Sequence, residues 1–191
     1  MALFEQIINT HSSFLGTLRH SFLDEDRKTA LQNFELKGFP TKKDEEYKYT
    51  NLKEITEKEY NFFPTEEHNI SKEQLDALHL GEENFDRIVF INGKLHKEFS
   101  KISIGNAEFL SFGYALNDSA HKEAFDQYFN TIANRDLAFT NLNSAYCNFG
   151  FFLRVPKNVV IEKPIHIFYL SQNQNENTFY NTRNLLIVEE G

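Results

Sequence analysis

Cysteine, tryptophan and methionine are nearly missing from this chain: one, none and one in 191 residues. The lone Cys147 excludes an internal disulfide framework and fits a reducing compartment. Glycine is sparse, and its eight positions (16, 38, 81, 93, 105, 113, 150 and 191) never come closer than eight residues. A phosphate-cradling loop needs closely spaced glycines, so GxxxxGK[ST] and GxGxxG chemistry is excluded. No Lys/Arg run is longer than two, and the net charge is −8, which argues against nucleic-acid binding. No apolar run approaches the roughly 20 residues a membrane helix needs. The start, MALFEQIINTHSSF, lacks a basic region followed by a continuous apolar one, so no secretory signal is read and a cytoplasmic location is expected.

What is present is aromatic: 20 Phe and 8 Tyr. Ordinary core filling accounts for them. Leu3, Phe4, Ile7, Ile8, Phe14, Leu15, Leu18 and Phe22 predict an amphipathic helix over 2–22. Asp24 and Asp26 sit where an N-cap belongs for a second helix, ended by Gly38 and Pro40. The segment 38–55 reads as solvated, with an acidic helix start after Thr41 and with Tyr47 and Tyr49 tucked against the body; a docking surface is the competing reading. Ser71-Lys72-Glu73-Gln74 is a capping box for a short helix through Leu80, stopped by Gly81. Residues 87–91 and 94–99 read as strands joined by Asn92-Gly93, the strongest hairpin signal here. Lys101–Ile104 and Glu108–Tyr114 are further strand or loop candidates. Asp118 caps a helix through Phe129, and Ile132, Leu137, Phe139, Leu142 and Tyr146 mark another.

From Leu142 the pattern turns to short β runs: Phe151–Val155, Val159–Ile161 and Ile165–Leu170, cornered at Pro156 and Pro164. Runs this short suit a chain that coils, placing each in a different sheet, as in a β-helix or a double-stranded barrel. The expected class is α+β: a helical domain over 1–84, a hairpin and helices over 85–141, and over 142–191 the first coils of a right-handed parallel β-helix. Leu186-Ile187-Val188 would then leave an apolar edge open to self-association.

Catalytic signals are weak. The seven histidines (11, 20, 68, 79, 96, 121 and 166) never fall two to four residues apart. His166 is the best-placed metal candidate, with an ordinary strand histidine as the competing reading. Cys147 has no partner for a CxxC and no identifiable base, and Glu45-Glu46 and Glu189-Glu190 give no acid–base geometry. No catalytic, cofactor-binding or metal residue is nominated.

Two stretches carry a resemblance. Gly38-Phe39-Pro40-Thr41-Lys42-Lys43-Asp44-Glu45-Glu46-Tyr47-Lys48-Tyr49-Thr50-Asn51-Leu52 resembles a signature near the start of SufD proteins. Phe90-Ile91-Asn92-Gly93, Leu142–Tyr146, Gly150–Val159, Lys163–Ile167 and Arg183–Ile187 are similar to the entry into the SufB/SufD core. Asn158 stands where that family often has Gly, and asparagine also accepts left-handed geometry. The resemblance implies a non-enzymatic, cytoplasmic component of iron–sulfur cluster assembly that supports cluster building and iron acquisition. Its implied partners are SufB-like proteins and a SufC-like ATPase, with a cluster held only transiently by the full complex and no cofactor in this segment. Cluster ligands and SufC-binding helices are expected in the family's C-terminal half. The alternatives are a β-helix or cupin-like enzyme, which would want a histidine cluster, and a carbohydrate-binding β-solenoid.

Overall fold

Leu3, Ile7, His11 and Phe14, three or four residues apart, form the buried stripe of the first helix. Arg27, Ala30 and Phe34 do the same for the second. The computed structural model describes residues 2–19, 21–64, 67–78, 84–133, 135–172 and 176–191. In chain order the helices are α1 (Leu3–Thr17), α2 (Asp24–Lys37), α3 (Lys53–Thr56), α4 (Lys72–Asp76), α5 (Phe112–Ala115), α6 (Lys122–Tyr128) and α7 (Ala138–Tyr146). The strands are β1 (Asp86–Ile91), β2 (Lys94–Leu95), β3 (Glu108–Ser111), β4 (Cys147–Phe149), β5 (Phe151–Val155), β6 (Ile165–Leu170), β7 (Asn181–Thr182) and β8 (Leu185–Val188). The chain divides into two units. One comprises Met1–Phe63, Leu116–Cys147 and Asn175–Asn181; the other comprises Pro64–Ala115, Asn148–Gln174 and Thr182–Gly191. No helix among the described residues is long and apolar enough to cross a membrane.

The first unit is helical. Its core joins Ile7, Phe14, Ala30, Phe34, Phe62, Leu142, Ala145 and Tyr146. Gly38 ends α2 at φ +68, where a side chain would be strained, and its N–H closes the last turn on the Phe34 carbonyl at 2.7 Å. The start of α2 differs from expectation, because Leu23 occupies the N-cap position without a side-chain cap. Asp24 instead accepts from the Ser21 backbone and hydroxyl and pairs with Arg27 at 3.0 Å. The buried guanidinium competes for that carboxylate. Phe22 lies beyond α1 and meets Phe125 edge-on. Asp118 caps a single 3-10 turn ahead of α6 by accepting from Ala120. Ile132 falls outside any helix, since Asn130 at φ +59 turns the chain away first.

The second unit is built on two three-stranded sheets, ordered β2–β1–β6 and β3–β5–β8. Asn92 and Gly93, at φ 49 and 85, make the tight turn their dipeptide predicts, pairing β1 and β2 antiparallel. The return strand stops at Leu95 because His96–Ser100 curls back. The Ser100 N–H and hydroxyl both bond the His96 carbonyl, and Lys101 then bridges back to β1 at Arg87. Strands β1 and β6 run parallel, from Asp86 opposite Ile165 to Ile91 opposite Leu170. Strand β5 pairs antiparallel with β3 and parallel with β8. Ile88, Phe90, Phe151, Leu153 and Val155 form one core; Leu75 of α4 covers Val89 and Ile91 on the opposite face of β1.

The expected right-handed parallel β-helix is not what forms, and neither is a closed barrel. Each three-stranded sheet mixes one parallel with one antiparallel pair, so no stack of parallel coils exists among the described residues. The runs Phe151–Val155 and Ile165–Leu170 do lie in different sheets, but Val159–Ile161, the middle wall a coil requires, is not a strand. Asn158, left-handed at φ +63, turns that connection instead. The capping box of α4 is complete: Ser71 accepts from the Gln74 backbone, and the Gln74 side chain accepts from Ser71. The predicted end of that helix, at Leu80 and Gly81, lies outside the described residues.

Candidate functional site

The end of α2 and the segment that follows it build a cleft in the helical unit. Once Gly38 stops the helix, Pro40 keeps the chain from resuming it, and Asp44 fixes the next turn. The Asp44 carboxylate accepts from the Thr41 N–H at 2.7 Å and from the Thr41 hydroxyl at 3.1 Å. Those two bonds hold its pKa below the usual carboxylate value. A 3-10 turn over Glu45–Tyr47 follows. It sets the Tyr47 ring against Phe139 at 5.8 Å, while Phe39 meets Phe34 edge-on at 5.1 Å. Lys37 reaches across to donate to the Asp136 carbonyl. The result is a cleft of about 510 Å³ with an apolar floor of Phe39, Tyr47, Leu137 and Ala138 and a rim of Asp44, Glu45, Glu46 and Asp136.

This arrangement suits recognition better than bond chemistry. Asp44 is occupied by Thr41, Glu45 lies 3.8 Å from Lys48, and among the described residues no imidazole or thiol lines the cleft. Tyr47 is tucked in as its sequence suggests. Tyr49 is not: it is 93% exposed, a large ring held out in water with Lys48 over its face. The 38–55 segment is thus partly solvated and partly a shaped surface.

The other flagged residues are not brought together. His166 sits on β6 with its ring stacked on Phe85 at 4.2 Å. Cys147 is fully buried, its thiol 3.5 Å from the Ser144 carbonyl. Glu189 accepts from Arg154 at 2.7 Å, which holds its pKa down, and Glu190 points into solvent. His20 and His79 lie outside the described residues. No group of three or more His, Cys, Asp or Glu that could hold a metal ion occurs among the described residues.

Two buried polar arrangements escaped the sequence reading. Arg27, 1% exposed, donates to the Ser21 hydroxyl, the Asp24 carboxylate and the Cys147 carbonyl, the last at 2.9 Å. His11 bonds the Ala145 carbonyl at 3.1 Å, and burial lowers its pKa although that bond opposes the shift. Both bond carbonyls at or just past the end of α7, where the helix's own bonding runs out. A signal for Arg27 was present, because it shares the buried spacing of Ala30 and Phe34. A further pair, half-buried His68 against His96, also escaped the sequence reading and had no local signal, since the two are far apart in sequence.

Comparison with known proteins places these features. Residues 2–167 match the sequence model of the family described as SufBD protein N-terminal region. An iron-sulfur cluster assembly SufBD family protein of Synechocystis sp. is 26% identical over 184 residues, which is 96% of this chain and 40% of that protein. A protein of the same description from Staphylococcus saprophyticus is 36% identical over 72 residues, 37% of this chain and 15% of that protein. The chain therefore spans less than half the length of these relatives. It belongs to the SufBD family, of which it carries the N-terminal region.

Proposed function

We propose, on the premise of that membership, that this chain serves iron–sulfur cluster assembly as the N-terminal region of a SufD-like, non-catalytic scaffold. The observation that carries the reading is the 38–52 signature, which favours SufD over SufB and whose residues 38–41 and 44–47 line one side of the cleft. Its partners would be a SufB-like protein and a SufC-like ATPase, in the cytoplasm, with no role for nucleic acid. The missing phosphate-binding loop fits an ATPase supplied by another chain. The cluster is cargo of the whole complex: the lone thiol here is buried and directed at a carbonyl, so this chain's described residues do not fit a cluster. The cupin-like, β-helical enzyme and carbohydrate-binding alternatives lose their scaffold, because neither a closed barrel nor a coil stack forms. Self-association through the outer edge of β8, where Leu186 and Val188 are 57% and 67% exposed, belongs to the same proposal.

Affinity capture of the full-length gene product from its own host tests both parts. SufB-like and SufC-like proteins should be recovered, and two differently tagged copies should recover each other. A preparation that holds neither partner but binds or cleaves sugars would overturn the scaffold reading. Copies that never recover each other would remove self-association alone.

A further inference from the structure

His68 and His96 meet edge-to-face in the β unit, ring centres 4.8 Å apart, and both rest on Phe99 at 5.8 and 4.2 Å. His68 opens the segment that leads into α4. Asn69 ties that segment to the Gln172 side chain, and Ile70 and Leu75 close it over Val89, Ile91, Phe168 and Leu170. His96 begins the turn that supports β1 from beside it. Its N–H donates to the Val89 carbonyl at 2.8 Å, and Ser100, bonded to its carbonyl, accepts from the Val89 N–H at 3.0 Å. The aromatic trio links segment and turn at this point.

That link suits two neutral rings. The Nδ1 of His96 accepts from the Phe99 N–H at 3.3 Å, so the ring must carry its proton on Nε2 and leave Nδ1 bare. The Nδ1 of His68 is buried without a hydrogen-bond partner. Protonating His96 removes the acceptor from Phe99 and sets a cation against the neighbouring imidazole; protonating both sets two like charges in contact. The charged groups around the pair are few. Glu98 on the same turn favours the proton, Lys97 precedes it, Glu67 adjoins His68, and the Asp76–Arg87 pair, at 2.7 Å, fastens the far end of the segment. Burial and then His68 lower the pKa of His96 against the opposing pull of Glu98.

We propose that His68 and His96 form a proton-operated latch, which holds the segment from Glu67 to Leu78 over the outer face of β1 and β6 while both rings are neutral and releases it on protonation. The sign follows from linkage. A histidine that takes up protons less readily when closed than when open favours closure above the open-state value of about 6.5, and that preference is lost as pH falls below it. Release would uncover Val89, Ile91, Phe168 and Leu170, the apolar face that Ile70 and Leu75 cover.

Amide hydrogen exchange, corrected for intrinsic rates, reads this directly. Between pH 7.5 and 5.5 protection at Leu75 and Asp76 should fall about three- to tenfold relative to Phe152 and Leu153 of β5. The double variant His68→Phe/His96→Asn keeps an aromatic ring at 68 and places a non-titrating acceptor where Nδ1 lay, so protection should become independent of pH. No fall in the wild type, or the same fall in the variant, would overturn the latch. If the double variant does not fold, the His96 imidazole titration followed by NMR decides, because His68→Phe alone should raise its midpoint. An unchanged midpoint would overturn the proposal as well.

Discussion

The two units handle buried polarity in opposite ways. The helical unit takes Arg27, His11 and Tyr146 into its core and aims each at a backbone carbonyl, of Cys147, Ala145 and Ile7 respectively. Each bond joins residues more than a hundred positions apart, so these side chains fix how α1 and α2 meet α7. The β unit fills its main core with Ile88, Phe90, Phe151, Leu153 and Val155, and it places its special geometry in turns: Asn92, Gly93, Gly150 and Asn158 all carry positive φ. The helical unit leans more on buried hydrogen bonds, although Gly38 and Asn130 turn at positive φ there. The β unit leans more on turn stereochemistry, although buried Asp86 and Asn92 accept from the Ser103 and Gln172 N–H groups. Each should therefore fail by a different kind of substitution.

The largest effect should come from Gly150 in the β unit. At φ +116, an added Cβ would lie 2.1 Å from the Arg183 carbonyl oxygen and 2.6 Å from the Asn184 side chain. That backbone is also fixed on both sides, since Phe112 donates to the Gly150 carbonyl and Asn184 accepts from Phe151. Gly150→Ala should cost about 4 kcal/mol or more, through strain and overlap that no side-chain rotation relieves. Urea denaturation with amide exchange at β5 as the local probe measures it. A loss below 1 kcal/mol would show that the turn is not what specifies this unit.

Arg27→Ala is the matching test in the helical unit. It removes the Arg27 bonds to the Cys147 carbonyl, Ser21 and Asp24 and leaves a void where a fully buried side chain stood. A cost of about 3 kcal/mol is expected from the lost hydrogen bonds and the cavity together. Arg27→Met should recover the cavity part but not the hydrogen bonds, and so lose less. If Arg27→Met loses nothing, burial rather than hydrogen bonding carries the position, and the contrast between the units collapses.

Local rules read from the sequence survived where one short stretch decides the outcome. Asn92-Gly93, the Ser71–Gln74 box, the α1 stripe and left-handed Asn158 each depend on a few neighbouring side chains. What failed depended on distant pairing. Phe90 lies beside Tyr169, and the alternation of β1 and β6 is satisfied by this parallel pair whether or not coils stack around it. Periodicity therefore identified strands but not their sheets. Tyr49 was misplaced for a related reason: an aromatic ring in a mixed-charge run looks like one to be buried, yet nothing local says which ring meets Phe139. The candidate cleft was legible as a motif and not as a shape, because its far wall comes from Asp136–Ala138.

The smallest effect sharpens the comparison most, because it separates a turn device from a titrating one. Ser71 caps α4 by accepting from the Gln74 N–H at 3.2 Å, and Gln74 answers by accepting from the Ser71 N–H at 2.8 Å. Ser71→Ala removes one arm of this box and should cost about 1 kcal/mol at α4. The lost cap bond is neutral, and the Glu73 carboxylate that also bonds the Ser71 hydroxyl, its pKa held below the usual carboxylate value, stays ionised across this pH range. Protection at Leu75 should therefore drop by the same factor at pH 7.5 and at pH 5.5, a parallel offset of the wild-type profile. The imidazole pair, by contrast, would change the slope of that profile and not its height at neutral pH. An offset that grows as pH falls would mean that cap and imidazoles act as one coupled element, and that the β unit, like the helical one, depends on a shared polar network.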